Sequence, residues 1–234
     1  MRKPNVSGPR IDEIMVLLSN RYQVGAFPGK GKGTTIRREM RDPYRVLIST
    51  ILSHRTMDEN TNQAATNLFR VFPTPESLAG ANIREIEELI RPAGFYKVKA
   101  RNIKRVASLL VKEHQGKVPE DLDSLLKLPS VGRKTANCVL VYAFGKLAIP
   151  VDTHVHRISN RLGLVQTRNP RQTEEALSRV VPKKYWLRLN ELFVKFGQEI
   201  CRPIAPLCYD CHLAELCESY PIATAGRKNE DRKD

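Results

Sequence analysis

Apolar residues recur at three- and four-residue spacing along almost the whole chain, as in Ile11, Ile14, Met15 and Leu18 or Ile103, Val106, Leu109 and Leu110. This is the repeat of one face of an α-helix, not the alternation of a half-buried strand. No segment combines strand alternation with turn residues at both ends. The expected fold class is all-α, with helices over about 10–21, 43–54, 58–71, 83–90, 96–114, 121–126, 132–145, 153–162, 171–181 and 184–199.

Two breaks interrupt this pattern. Residues 24–42 hold Gly25, Gly29, Gly31 and Gly33 with Lys30, Lys32, Arg37, Arg38 and Arg41, the composition of a linker that is either a solvated loop or a DNA contact. The second break runs from Gly145 to Pro150, and a charged tail follows from Arg227 to Asp234. A length of 234 residues accommodates one large domain or two small ones.

Charge narrows the partner. Lys+Arg outnumber Asp+Glu by 39 to 25, a formal net charge of +14, which favours a polyanion, first a nucleic acid and second an anionic membrane surface. A hydrophobic content of 41% separates the chain from disordered basic tails. The longest apolar runs, Val139 to Phe144 and Val46 to Leu52, fall far short of the roughly 18 residues of a membrane span. The basic N-terminus has no apolar signal core, so a cytoplasmic, nucleoid-associated protein is expected.

Cys201, Cys208, Cys211 and Cys217 form C-x6-C-x2-C-x5-C, compact enough for four thiolates to close on one metal centre. Zinc sites usually pair two C-x2-C or Cys/His units across a longer spacer. A single C-x2-C with unequal flanking loops favours a [4Fe-4S] cluster. His212, beside Cys211, is expected at the loop surface, and Cys138, on an apolar helix, is expected as a buried inert thiol.

The segment Leu128-Pro-Ser-Val-Gly-Arg-Lys-Thr-Ala136 lies between a short amphipathic helix and a longer apolar one. So tight a turn is expected to leave the backbone N–H groups of Val131, Gly132 and Arg133 free at a helix N-terminus, a phosphate site that reads no sequence. Lys134, in the first turn of that helix, is either one more phosphate ligand or a nucleophile. Downstream, Val151-Asp-Thr-His-Val-His-Arg157 places Asp152 at a helix N-cap; brought near a lysine, its carboxylate could also stabilise charge at a sugar carbon. His154 and His156 are two residues apart and share no helix face, so helix packing or phosphate contact suits them better than a shared metal.

The hairpin ending in G-R-K-T-A, the V-D-T-H one helix later and the cysteine pattern together closely resemble the endonuclease III family, within the helix-hairpin-helix DNA glycosylase superfamily. The resemblance runs from about residue 10 to 220 and includes Leu52-Ser-His-Arg-Thr-Met-Asp58 and Gly94-Phe-Tyr-Lys-Val-Lys-Ala100. It implies two helical domains with the DNA cleft between them: a six-helix bundle with the hairpin over about 36–147, and a cluster domain made of 1–35 with 148–220, leaving 221–234 as the tail. It implies a base-excision-repair glycosylase with β-elimination lyase activity on oxidised pyrimidines in duplex DNA, acting as a monomer. Lys134 matches the family's catalytic lysine and Asp152 its catalytic aspartate. Phe95 and Arg55 match the residues that fill the duplex when a base is flipped out.

Three departures accompany the match. Ser130 replaces the first glycine of the family's L-P-G-V-G, which implies an ordinary negative φ there or a slightly altered turn. Arg55 replaces the usual Gln, so opposite-base preference does not carry over. The loop from Arg202 to Leu207 holds one basic residue, a weaker grip on DNA. An adenine-removing relative would carry a Glu on the helix of Ile51 and Leu52, and Val46 to Met57 contains no carboxylate. A monofunctional uracil or thymine mismatch glycosylase, which would lack Lys134, and a non-catalytic helix-hairpin-helix DNA-binding protein are the alternatives.

Overall fold

The computed structural model describes residues 8–22 and 42–221. The linker expected over 24–42, Asp42 excepted, and the tail beyond residue 221 lie outside the described residues. Every regular element among the described residues is helical. The chain divides into two compact units, Gly25–Pro150 and Met1–Val24 with Val151–Asp234.

In the first of these, Asp42 accepts a hydrogen bond from Tyr44 N and Pro43 sits in the first turn, which starts α2 (Pro43–Leu52). It is followed by α3 (Asp58–Val71), α4 (Pro75–Gly80), α5 (Ile83–Leu89), α6 (Tyr96–His114), α7 (Leu122–Leu126) and α8 (Arg133–Tyr142). The short α4 is absent from the sequence reading because six residues are too few for periodicity to register. Its signal is the capping box instead, where Thr74 and Ser77 exchange side-chain-to-backbone hydrogen bonds around Pro75. The helix expected over 132–145 stops at Tyr142, and the one expected to reach 54 stops at Leu52.

The core of this unit is fully buried Leu47, Ile48, Leu52, Leu68, Leu78, Ile86, Ile103, Val106, Leu110, Leu125 and Val139, each stabilising the fold by about 1.5–3 kcal/mol on burial. Helix α6 packs along α4 and α5, and α2 packs on α8. The hairpin helix is thereby seated on the centre of the bundle.

The other unit contains α1 (Gly8–Arg21), α9 (Thr153–Arg161), α10 (Pro170–Val180) and α11 (Trp186–Glu199). Ile11, Ile14 and Leu18 of α1 are buried, as are Val155 and Ile158 of α9 and Leu192, Phe193 and Phe196 of α11. After α11 the regular structure among the described residues is two three-residue 3-10 turns, Cys208–Asp210 and Ala214–Leu216. No described helix is long and apolar enough to cross a membrane.

Candidate functional site

The hairpin is held by its own turn. Asp121 caps α7 through Ser124 N at 2.8 Å, and the chain then descends through Leu128 N to Leu125 O and Val131 N to Leu128 O, both 3.1 Å. Leu125, Leu128 and Val131 are buried. The expectation that the Val131 N–H is free is therefore corrected: the turn consumes it, and the residue anchors the loop. Gly132, the N-cap of α8, is exposed, and its N–H has no hydrogen-bond partner among the described residues.

Nothing among the described residues requires glycine at 132. Its φ is −86° and an added Cβ would meet no atom within 4 Å. Ser130, by contrast, has φ 60°, so the turn keeps the left-handed geometry of a glycine and the expected negative φ is not found. Asn102 Nδ2, on α6, donates to Ser130 Oγ at 2.7 Å, a tertiary bond that helps hold the serine there.

Lys134 lies one residue into α8, partly buried. Its neighbour Thr135 is buried and shares a 2.9 Å hydrogen bond with Nε2 of His54. Burial, and then the charges of Lys134 and Lys99, push the His54 imidazole below its ordinary range, which keeps it neutral at pH 7. His54 stands inside the Leu52–Asp58 motif, yet the pairing with Thr135 is a tertiary contact across 81 residues and has no local signal.

Arg55 and Phe95 are both exposed and both left-handed, with φ of 51° and 59°. Phe95 is 63% exposed, which excludes a core role for it. The structure brings their two loops together: Thr56 Oγ1 accepts the Gly94 N–H at 3.1 Å, and a Cβ on Gly94 would stand 3.0 Å from the Arg55 carbonyl oxygen. Arg133 closes the set on the N-terminal turn of α8, partly buried.

Asp152 is the N-cap of α9. Its Oδ1 accepts from His154 N and Val155 N, each at 2.9 Å. It belongs to the unit that begins at Val151, whereas Lys134 belongs to the unit that ends at Pro150. His154 and His156 have packing partners of their own: Nδ1 of His154 pairs with Arg157 at 3.1 Å, and Nδ1 of His156 with Thr173 at 2.6 Å.

Residues 48–183 match the HhH-GPD superfamily of base excision DNA repair proteins. The chain is 52% identical to Endonuclease III of Thermotoga maritima over 84% of its own length and 89% of that protein. It is 38% identical to Endonuclease III of Synechocystis sp. over 94% and 96%. The chain belongs to the endonuclease III family of HhH-GPD proteins. Among solved structures it is similar to a trapped endonuclease III–DNA covalent intermediate, with TM-score 0.79, 33% identity and coverage of 91% of this chain and 96% of that one. It is also similar to a thermostable thymine-DNA glycosylase, with TM-score 0.79, 25% identity and coverage of 92% and 99%.

In this endonuclease III family member, Cys201, Cys208, Cys211 and Cys217 line one cavity with Arg161, Phe196 and Ile200. None is in a disulfide. Arginines frame the segment: Arg157 donates to Cys201 O from Nε at 3.1 Å and Nη2 at 2.9 Å, and Arg161 donates to Cys201 Sγ at 3.5 Å and Arg202 O at 2.6 Å. Arg10 reaches from α1 to Leu216 O at 2.7 Å and Glu218 at 2.9 Å.

Burial pushes the Cys211 thiol up to about 11 and raises that of Cys217, so taking up a metal centre must displace protons. Among the described residues no three His, Cys, Asp or Glu side chains gather closely enough to hold a single metal ion. His212 departs from the expected surface position. Its ring packs edge-on against Phe196 at 5.4 Å, with both nitrogens shielded and without partners among the described residues. Cys138 is buried, as expected.

Proposed function

We propose that the protein is a bifunctional DNA glycosylase and abasic-site lyase that removes oxidised pyrimidines from duplex DNA. Base excision repair is the activity of its family, and the observation that carries the bifunctional reading is the partly buried Lys134 in the first turn of α8. The duplex is bound through phosphates by the N–H of Gly132 and the charge of Arg133, backed by the net charge of +14. Arg55 and Phe95 enter the space left when the damaged nucleotide turns outward.

A neutral Lys134 amine attacks the deoxyribose C1′, forming a C–N bond as the glycosidic bond breaks and the base leaves with a proton. The Asp152 carboxylate stabilises the positive charge that grows on the sugar. Ring opening gives a Schiff base to Lys134, loss of a C2′ proton expels the 3′ phosphate, and water then hydrolyses the imine to release the enzyme. Capping through Oδ1 alone leaves Oδ2 of Asp152 available for this role.

Cys201, Cys208, Cys211 and Cys217 would hold a [4Fe-4S] cluster. Four unbridged thiols around one cavity, spaced C-x6-C-x2-C-x5-C and with a guanidinium against Cys201 Sγ, suit an anionic multinuclear group better than one zinc ion. When bound, the cluster cross-links a segment that has little regular structure of its own.

The test is covalent trapping. Borohydride should capture a protein–DNA adduct on a lesion-bearing duplex, and Lys134→Gln should abolish trapping and incision while specific binding stays measurable. Asp152→Asn preserves the helix cap, since Asn caps as well as Asp, so any loss reports charge. It should slow base removal at least tenfold and spare much of the nicking at a preformed abasic site. Duplexes carrying thymine glycol, dihydrouracil, uracil or a G·T mismatch identify the substrate; base release without trapping would favour the monofunctional mismatch reading.

A further inference from the structure

We propose that Lys99 is a positioning residue for base flipping: its buried ammonium clasps the loop that carries Arg55 to the start of the helix that carries Phe95, so the two exposed side chains are presented together. The inference rests on the reading of Arg55 and Phe95 as the residues that enter the duplex.

Lys99 lies one turn into α6, only 6% exposed. Its Nζ donates to Leu52 O at 2.6 Å, His54 O at 2.7 Å and Thr56 Oγ1 at 2.7 Å. Three donors meet three neutral acceptors. An ammonium buried without a carboxylate is unfavourable beside an apolar side chain of the same size, and burial draws this one down to about 8. Packing alone would therefore be served better by methionine. What the amine adds is a grip on carbonyls at the end of α2 that the helix itself leaves unpaired.

The grip reaches further than one loop. The Thr56 hydroxyl that receives Lys99 also receives the Gly94 N–H, so the two loops share a hinge point directly beside Arg55 and Phe95. Both of those residues hold a left-handed backbone, and neither gains burial from it. Strain of this kind persists only where surrounding bonds enforce it, and the Lys99 clasp supplies them. His54, whose carbonyl is gripped, bonds through its ring to Thr135 beside Lys134, which ties the same loop to the nucleophile's helix.

The experiment compares duplex with single-stranded substrate, because a single strand needs no wedge. With Lys99→Met, single-turnover incision of a thymine glycol duplex should fall at least tenfold. Borohydride trapping on a single-stranded abasic oligonucleotide should stay within twofold of wild type. Lys99→Arg should recover part of the duplex rate. Thr56→Val, which removes one acceptor and leaves two carbonyls, should lower duplex incision in the same direction but less, and serves if Lys99→Met does not fold.

Equal losses on both substrates, or duplex incision within twofold of wild type, would overturn the assignment. Arg55→Ala and Phe95→Ala test the underlying reading separately. If they leave duplex incision unchanged, the wedge reading fails and the clasp proposal with it. If they lower it while Lys99→Met does not, only Lys99 is misassigned.

Discussion

The hairpin at 127–132 and the cysteine segment at 201–221, both given chemical roles in the proposed function, lie on stretches between or beyond regular helices, and they are held in opposite ways. The hairpin is pinned by buried Leu125, Leu128 and Val131 and by a descending series of backbone hydrogen bonds. In the cysteine segment only Pro206 and Leu213 are buried, while Ile204 and Tyr209 stand 85% and 88% exposed. Its order comes from arginines donating to carbonyls and from four thiols around one cavity. Apolar burial makes the first self-sufficient, whereas the second would be closed by the proposed cluster.

The largest expected effect breaks the second region and leaves the first alone. Cys208→Ser should remove the blue-region absorbance and the bound iron and sulfide, and should make the chain beyond Glu199 sensitive to limited proteolysis. The bundle helices should keep their circular dichroism. A wild-type protein that is colourless and holds stoichiometric zinc would sink the cluster and, with it, the contrast between the two regions.

A second effect comes from the buried Lys99, drawn down to about 8 from an ordinary 10.5. Between those values the unfolded chain binds the proton that the folded chain has released, so stability rises with pH across that window. Relative to Lys99→Met, wild type should gain up to about 3 kcal/mol of unfolding free energy from pH 8 to 10.5, at 1.36 kcal/mol per unit of difference. Taking the difference between the two proteins cancels the other titrating groups. A flat difference would mean the amine is not desolvated.

The hairpin's phosphate site should respond to a change that leaves the fold in place. The Cβ added by Gly132→Leu meets no atom within 4 Å among the described residues, at an ordinary φ, so the fold should lose no more than the preference for glycine over leucine at an N-cap, about 1 kcal/mol. Affinity for every duplex, damaged or not, should drop about tenfold, and the salt slope should shrink by about 0.9 for each phosphate the protein no longer neutralises. A drop confined to lesion-bearing duplexes would contradict a backbone contact at this turn.

What the sequence displays well is what local chemistry decides. Helices α3 and α6 stand where the apolar repeat puts them, at 58–71 and 96–114, and Asp152 caps as a side chain before a helix should. The motifs single out Lys134 and four cysteines, and the structure sets the lysine in the first turn of α8 and the four thiols around one cavity. Tertiary decisions are less visible. The Val131 N–H is taken by a turn whose closure depends on burying Leu128, and His212 turns inward because Phe196 offers a ring face. Lys99 did leave a trace. It interrupts the apolar stripe of Ala100, Ile103, Val106 and Leu110 on α6, and a lysine on a core-facing stripe asks for a partner that only the folded chain can name.

The smallest effect examines the hairpin's internal strain. Ser130 holds φ at 60°, a conformation that costs a side-chain-bearing residue about 1–2 kcal/mol and glycine almost nothing. Two terms oppose that gain in Ser130→Gly. The exposed bond from Asn102 is removed, worth about 0.5–1.5 kcal/mol at most, and the unfolded chain gains glycine's entropy, about 0.4–1 kcal/mol. The sum lies close to zero, within about 1.5 kcal/mol, so chemical denaturation should find the two proteins nearly equal. Ser130→Ala separates the terms, since it removes the hydroxyl while keeping the left-handed penalty, and should destabilise by about 0.5–1 kcal/mol. If Ser130→Ala were neutral, Asn102 would play no part in holding the turn. The hairpin would then rest on its buried leucines and valine alone, which is the limiting form of the contrast with the cysteine segment.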